Sequence, residues 1–135
     1  MTATKASIYP TRPDLLLRLE GLAALFAECI AYQHLYPGRW TLFALLFLTP
    51  DLSLLGYLRS GNRHAAALYN LVHSYVLPLA LGLLAWKRGS PIAGQLAIIW
   101  LSHISFDRVL GYGLKFPGIF RYTHIQGAID PSLKP

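Results

Sequence analysis

Four long apolar runs dominate the chain, and short polar turns separate them. The runs cover residues 15–35, 40–59, 65–86 and 91–112. The turns contain Pro and Gly, which break helices, together with Arg and Lys. A run of about 20 apolar residues is long enough to cross a bilayer as an α-helix. The pattern therefore predicts an all-α fold, a four-helix up-down bundle in a membrane, because short turns make neighbouring helices antiparallel.

The rest of the pattern predicts one membrane domain over residues 1–135. Residues 1–13 form a polar N-terminal lead, and residues 114–135 form a tail after the last run. Pro50 lies inside the second run, where it removes one backbone donor and leaves the Leu46 carbonyl without its helical partner. We therefore expect a kink there. The chain has one cysteine, Cys29, so a disulfide within the chain is excluded.

Composition and charge agree with a membrane protein. Hydrophobic residues make up 54% and charged residues 13% of the chain, about half the charged fraction of a soluble domain. The net charge is +6, but the basic residues lie between the runs rather than on one reading face, so we expect membrane lipid and not nucleic acid as the partner.

One side of the predicted bundle holds seven basic residues, Lys5, Arg12, Arg59, Arg63, Lys115, Arg121 and Lys134, and the other holds Arg39, Lys87 and Arg88. This bias predicts that both termini lie in the cytoplasm.

Ionisable residues inside the runs fall at a common depth. Counted from the cytoplasmic end of each run at about 1.5 Å per residue, five of them lie about 9 to 15 Å deep. They are Glu20, Asp51, His73, His103 and Asp107. His103 and Asp107 are four residues apart and share one helix face, as Asn70 and His73 do at a spacing of three. The runs alternate in direction, so this common depth is not forced by sequence order.

Imidazoles and carboxylates at one depth are a ligand set for Zn²⁺, Mn²⁺ or Fe. We predict that Asp51, His73, His103 and Asp107 hold such a divalent ion, and that Glu20 is the general base. Four further residues are expected to line the same pocket: Asn70, Arg108, Lys115 and His124. The opposing hypothesis is that the cluster binds no cofactor and only ties helices together through interhelical hydrogen bonds.

These residues also carry a family resemblance, which extends from about residue 16 to residue 127. The shared segments are residues 50–57 with Pro50-Asp51, residues 69–75 with His73, and residues 100–115 with His103 and Asp107. On these segments the chain resembles domain-of-unknown-function family 4260, which implies a small bacterial multi-pass membrane protein. The family tail usually reads Thr-His-Leu-Gly, whereas this chain has Thr-His-Ile-Gln-Gly at residues 123–127.

The chain is more weakly similar to membrane-bound metal-dependent hydrolases of bacterial inner membranes, which implies a location in the bacterial inner membrane. Those enzymes have a Pro-Asp element, a His-Ser element and a later His-x-x-x-Asp element, in that order. The matching positions here are residues 50–51, 73–74 and 103–107. Ser53 replaces the second aspartate of the first element. The second histidine and basic residue of the His-Ser element are absent, and Tyr69 and Asn70 stand near there.

Three functions are compatible with this sequence. The first is a metal-dependent membrane hydrolase that acts on a lipid-like phosphoester, with Asp51, His73, His103 and Asp107 as ligands. The second is a proton- or ion-coupled small carrier. The third is a structural or partner-binding membrane protein. Ala93 and Ala97 form a small-xxx-small pair that offers a face for a homo-oligomer.

Overall fold

A computed structural model of the protein describes residues 13–53, 55 and 63–114. These residues form five α-helices and contain no strand, which confirms the all-α prediction. We name the helices α1 (Pro13–Leu35), α2 (Trp40–Leu46), α3 (Arg63–Val72), α4 (Val76–Arg88) and α5 (Pro91–Leu110). A short 3₁₀ turn, Thr49–Asp51, follows α2.

Helix α5 is the centre of the structure. It packs along α1 and α4 and also contacts α2. Seven of its side chains are buried: Gln95, Ala97, Ile99, Ser102, His103, Ile104 and Ser105. Four of these are polar, although burial of a polar group is costly unless it finds a partner. The neighbours of α5 must therefore supply polar partners as well as apolar contacts.

Both long neighbours of α5 run antiparallel to it. On α1, Gly21 lies against residues 105–109 of α5, whereas Tyr36 just beyond the end of α1 lies against Gly94. On α4, Gly82 faces Ala97, and Ala85 faces Gly94. These directions agree with the predicted alternation of the runs.

Local sequence sets both ends of α5. Ser90 caps its N-terminus by accepting a hydrogen bond from the Ala93 backbone N–H, and Pro91 occupies the first turn. Proline is tolerated there because its missing N–H has no partner within the helix. At the other end Gly111 has φ 87°, the left-handed conformation that commonly terminates a helix. The predicted run 91–112 is therefore one continuous helix, Pro91–Leu110.

Two of the four predicted runs are interrupted, which corrects the prediction of four continuous helices. The run 40–59 ends its first helix at Leu46 and continues as the 3₁₀ turn. The run 65–86 is divided between α3 and α4 by residues 73–75, which we call the bend, with 46° between the two helices. Pro78 accounts for the bend, because it cannot donate to the Ser74 carbonyl and its ring would clash with that group.

Among the described helices, none is by itself both long and apolar enough to cross a membrane. The pair α3–α4 meets the length and composition criteria together, as a bent span. The predicted lead and tail lie almost wholly outside the described residues.

Gly21 provides a test of the α1–α5 contact. An added Cβ would lie 2.7 Å from the Arg108 Cβ and 3.0 Å from the Ser105 carbonyl oxygen. We expect Gly21→Ala to lower the free energy of unfolding by about 1–3 kcal/mol, because the helices would have to separate. Thermal unfolding of the purified protein measures this.

Gly82→Ala is the matched control on α4. Its added Cβ would meet Ala97 at 3.5 Å, an ordinary contact, and alanine favours a helix by up to about 1 kcal/mol over glycine. This variant should be as stable as the wild type or more so. Equal losses in both variants would contradict the tight α1–α5 contact.

Candidate metal centre

His103 and Asp107 come from the continuous helix α5. They are separated by one turn, and His103 Nε2 lies 3.6 Å from Asp107 Oδ2. His103 also packs edge-on against the Phe47 ring, with the ring centroids 5.5 Å apart. Its Nδ1 is buried and has no hydrogen-bond partner among the described residues. The packing leaves Nε2 as the ring nitrogen that faces the other polar groups.

His73 lies at the bend, directly after α3. Its Nδ1 is 3.0 Å from the Tyr69 carbonyl oxygen, an arrangement in which Nδ1–H donates to the backbone. Donation from Nδ1 leaves the Nε2 lone pair free, as in many metal-binding histidines. The Tyr69 ring stacks on the imidazole with centroids 3.9 Å apart and planes 13° from parallel. Backbone and ring contacts thus fix the direction of Nε2.

Side chains satisfy the carbonyl groups that the bend leaves without helical partners. The Ser74 hydroxyl donates to the Leu71 carbonyl at 2.9 Å, and Trp100 Nε1 donates to the Val72 carbonyl at 2.8 Å. Arg108 Nη2 donates to the His73 carbonyl at 3.3 Å. Two of these donors come from α5, so the bend is held against the helix that carries His103 and Asp107.

Asp51 is presented by the second interruption. Pro50 leaves the Leu46 carbonyl without a helical donor, as the sequence predicted, and the Thr49 hydroxyl donates to it at 2.6 Å. Pro50 itself is buried. The 3₁₀ turn then brings Asp51 Oδ1 to 3.4 Å from both His73 Nε2 and His103 Nε2.

The four predicted ligands therefore meet, and we call them the His/Asp cluster: Asp51, His73, His103 and Asp107. The two Nε2 atoms are 3.5 Å apart, and His73 Nε2 is 3.8 Å from Asp107 Oδ2. One ligand atom from each residue lies within 4.8 Å of the other three. Four atoms bound tetrahedrally at about 2.0–2.1 Å from one ion would be about 3.3–3.4 Å apart. The cluster has nearly that size.

The cluster is closed on one side and open on the other. The side chains of His103 and His73 are 1% and 3% exposed, and that of Asp107 is 15% exposed. The Asp51 side chain is 44% exposed. Asp51 is therefore the most exposed member of the cluster, whereas the two imidazoles are shielded from water.

The other predicted residues have different surroundings. Glu20 is exposed on α1 and makes no hydrogen bond or ion pair with the described residues. Asn70 is half-buried on α3. Arg108 is also half-buried and donates to the Tyr112 carbonyl as well as to that of His73. Lys115 and His124 lie outside the described residues.

Sequence reasoning missed two groups of residues. Tyr69, which is not among the predicted site residues, is buried and stacked on His73. Its spacing of four residues before His73 could have indicated a shared helix face. Glu28 accepts a hydrogen bond from Ser105 at 3.0 Å, and Ser105 lies 3.1 Å from the Tyr75 hydroxyl. No spacing rule links these three residues, because they come from separate elements.

Fold and cluster together define a small all-helical protein with two buried histidines and two aspartates around one point. A family model described as Domain of unknown function (DUF4260) matches residues 14–128, and the chain belongs to that family. Neither the curated proteins nor the solved structures gave a significant match.

Trp100 tests how firmly the bend is held. We expect Trp100→Phe to lower the free energy of unfolding by about 1–3 kcal/mol, because the Val72 carbonyl would lose its donor in a partly buried place. Trp40→Phe is the control, because Trp40 Nε1 donates to Gln33 in an exposed hydrogen bond. Loss of that bond should lower the free energy of unfolding by less than about 1 kcal/mol. Chemical denaturation compares the two variants. The interpretation of the bend is wrong if Trp40→Phe proves the more damaging.

Proposed function

We propose that this protein is an integral membrane protein whose His/Asp cluster binds one divalent transition metal ion for hydrolysis of a lipid-like phosphoester. The convergence of four ligand atoms within 4.8 Å carries the proposal. Two imidazoles with two carboxylates suit Zn²⁺, Mn²⁺ or Fe²⁺ better than Ca²⁺ or Mg²⁺, which prefer oxygen ligands.

Electrostatics supports an ion at the cluster. Two carboxylates face the same buried imidazoles, and a divalent cation would neutralise both of them. The Tyr69 carbonyl holds His73 in the form that offers Nε2, so little rearrangement is needed on binding.

The open side of the cluster supports a catalytic rather than a purely structural site. A catalytic ion needs a position for water or substrate, which an ion with four protein ligands can gain by becoming five-coordinate on its exposed side. Here the exposed Asp51 carboxylate faces that side. A bound ion would polarise a phosphoryl oxygen and acidify a coordinated water. Glu20, which is exposed on α1, stays the predicted proton acceptor.

The exposed apolar surface supports the membrane location. Large hydrophobic side chains are exposed on every described helix, among them Phe26 at 69%, Leu45 at 73% and Trp86 at 82%. Soluble monomers rarely expose contiguous apolar patches beyond a few hundred Å². Six polar or charged side chains lower the mean hydropathy of α5. Four are buried and two are half-buried: Gln95, Ser102, His103 and Ser105, and then Asp107 and Arg108. The four buried side chains face the protein interior, so α5 can meet lipid with an apolar outer side.

The membrane proposal has a direct test. The protein should remain in the membrane fraction after alkaline carbonate extraction, because its exposed leucine and aromatic side chains would be buried in lipid. Reporter fusions after residue 135 should be active in the cytoplasm, as the distribution of basic residues predicts. Release into the soluble fraction, or a periplasmic reporter, would contradict the respective part of the proposal.

Metal content tests the cluster itself. Protein purified without chelators should carry about one equivalent of a transition metal, since four ligands enclose one ion. His103→Ala should remove it, because the most buried ligand is lost. His34→Ala is the matched control, since His34 is an exposed histidine on α1, and it should keep the metal. Elemental analysis of the three proteins gives the answer.

Activity then separates hydrolysis from the other two functions. A water-insoluble phosphoester in mixed micelles should be hydrolysed by the metal-loaded protein, and removal of the metal should abolish this. A structural role predicts no metal in the wild type and a loss of about 1–2 kcal/mol of stability in His103→Ala.

An ion-coupled carrier is a second candidate, and the two interrupted helices favour it. Transporters commonly bind substrate and coupling ions where helices are broken, and Asp51 and His73 both lie at such interruptions. A carrier would give pH-dependent flux in proteoliposomes and no hydrolysis.

A further inference from the structure

A second buried polar group lies between α1 and α5, away from the His/Asp cluster. Its centre is the Glu28 carboxylate of α1, which accepts a hydrogen bond from Ser105 at 3.0 Å. The Ser105 hydroxyl is 3.1 Å from the Tyr75 hydroxyl at the start of α4. Ser102, one turn before Ser105, lies beside the same carboxylate. On α5, successive residues are about 100° apart, so Ser102 and Ser105 face away from His103 and Asp107.

The carboxylate lacks a charge partner. Among the described residues no Lys, Arg or His lies within ion-pair distance of Glu28. Cys29 from α1 and Tyr75 from the bend are the titratable neighbours, and α5 contributes the two serine hydroxyls. An ionised carboxylate removed from water without a cation is costly. Glu28 must therefore be neutralised in another way.

Two buried atoms without hydrogen-bond partners indicate how Glu28 is neutralised. Within the part of the chain that the structure describes, Glu28 Oε2 and Ser102 Oγ are buried and have no hydrogen-bond partner. A carboxylate oxygen only accepts, whereas a serine hydroxyl can donate or accept. A proton on Glu28 Oε2 would remove the unpaired charge and place a donor beside Ser102, while Oε1 still accepts from Ser105.

We propose that the buried Glu28 carboxyl binds a proton at neutral pH, which makes this group a proton site distinct from the His/Asp cluster. Ser105 and Tyr75 extend the site. A hydrogen-bonded path therefore runs from Glu28 on α1 through Ser105 on α5 to Tyr75 in the bend. The proton-handling carboxyl inside the structure is then Glu28, whereas Glu20 is exposed on the same helix.

Infrared spectroscopy of the whole purified protein tests this site. The wild type should show a protonated carboxyl stretch at neutral pH that disappears in one transition as the pH is raised. Glu28→Gln, which has the shape of the neutral acid, should lack that band. Glu20→Gln is the matched control from the same helix and should keep it. Absence of the band in the wild type, or its persistence in Glu28→Gln, would overturn the proposal.

Stability gives a second readout. Ionisation would place an unpaired charge in the α1–α5 interface, so the melting temperature of the wild type should fall as the pH rises through the transition. Glu28→Gln should fold and lose this fall, whereas Glu20→Gln should retain it. If Na⁺ but not K⁺ raises the melting temperature of the wild type and no carboxyl band is present, the site binds a metal cation and the proposal fails. Metal content at the His/Asp cluster should be unchanged in Glu28→Gln, so this test stands apart from that of the proposed function.

Discussion

The need to satisfy polar groups buried on α5 organises the rest of the structure. Helix α5 buries Gln95, Ser102, His103 and Ser105 among apolar neighbours. A buried polar group without a partner costs about 1–3 kcal/mol, and the surrounding elements bring partners to His103 and Ser105. Gln95 Oε1 and Ser102 Oγ have none among the described residues. Glu28 on α1 approaches Ser105, and His73 from the bend and Asp51 from the 3₁₀ turn approach His103. The arrangement of α1, the bend and the 3₁₀ turn around α5 follows from these contacts together with apolar packing.

Interruptions in two helices give the cluster its shape. A straight helix presents residues only at fixed angles, whereas here Asp51 and His73 project from breaks in the helices. Proline interrupts both runs, and Thr49, Ser74, Trp100 and Arg108 then satisfy the carbonyls that lose their helical donors. Because these bonds hold the backbone at the breaks, the side chains that project from them are held in position as well. Preorganisation of this kind is what a metal site or a catalytic site requires.

The two faces of α5 have different chemistry. One face joins imidazole nitrogens with carboxylates, a set that suits a borderline transition metal. The polar groups at the other face are a carboxyl and the hydroxyls of serine and tyrosine. Among the described residues no cationic side chain pairs with that carboxyl. Ser105 lies between His103 and Asp107 in sequence yet belongs to the second face. A single helix thus separates two polar sites within a structure whose outer surface is largely apolar.

The sequence by itself determined the helical class, the limits of α1 and α5, the break near Pro50 and the four residues of the His/Asp cluster. Apolar runs and the Pro and Gly residues that break helices act locally, so they can be read along the chain. The i,i+4 spacing of His103 and Asp107 is equally local. Only the tertiary structure decided that the third run bends at His73, that Tyr69 stacks on its imidazole, and that Glu28 rather than Glu20 enters a buried interface. Those outcomes depend on which side of each helix faces α5, and that choice is made by contacts between residues as distant in sequence as Glu28 and Ser105.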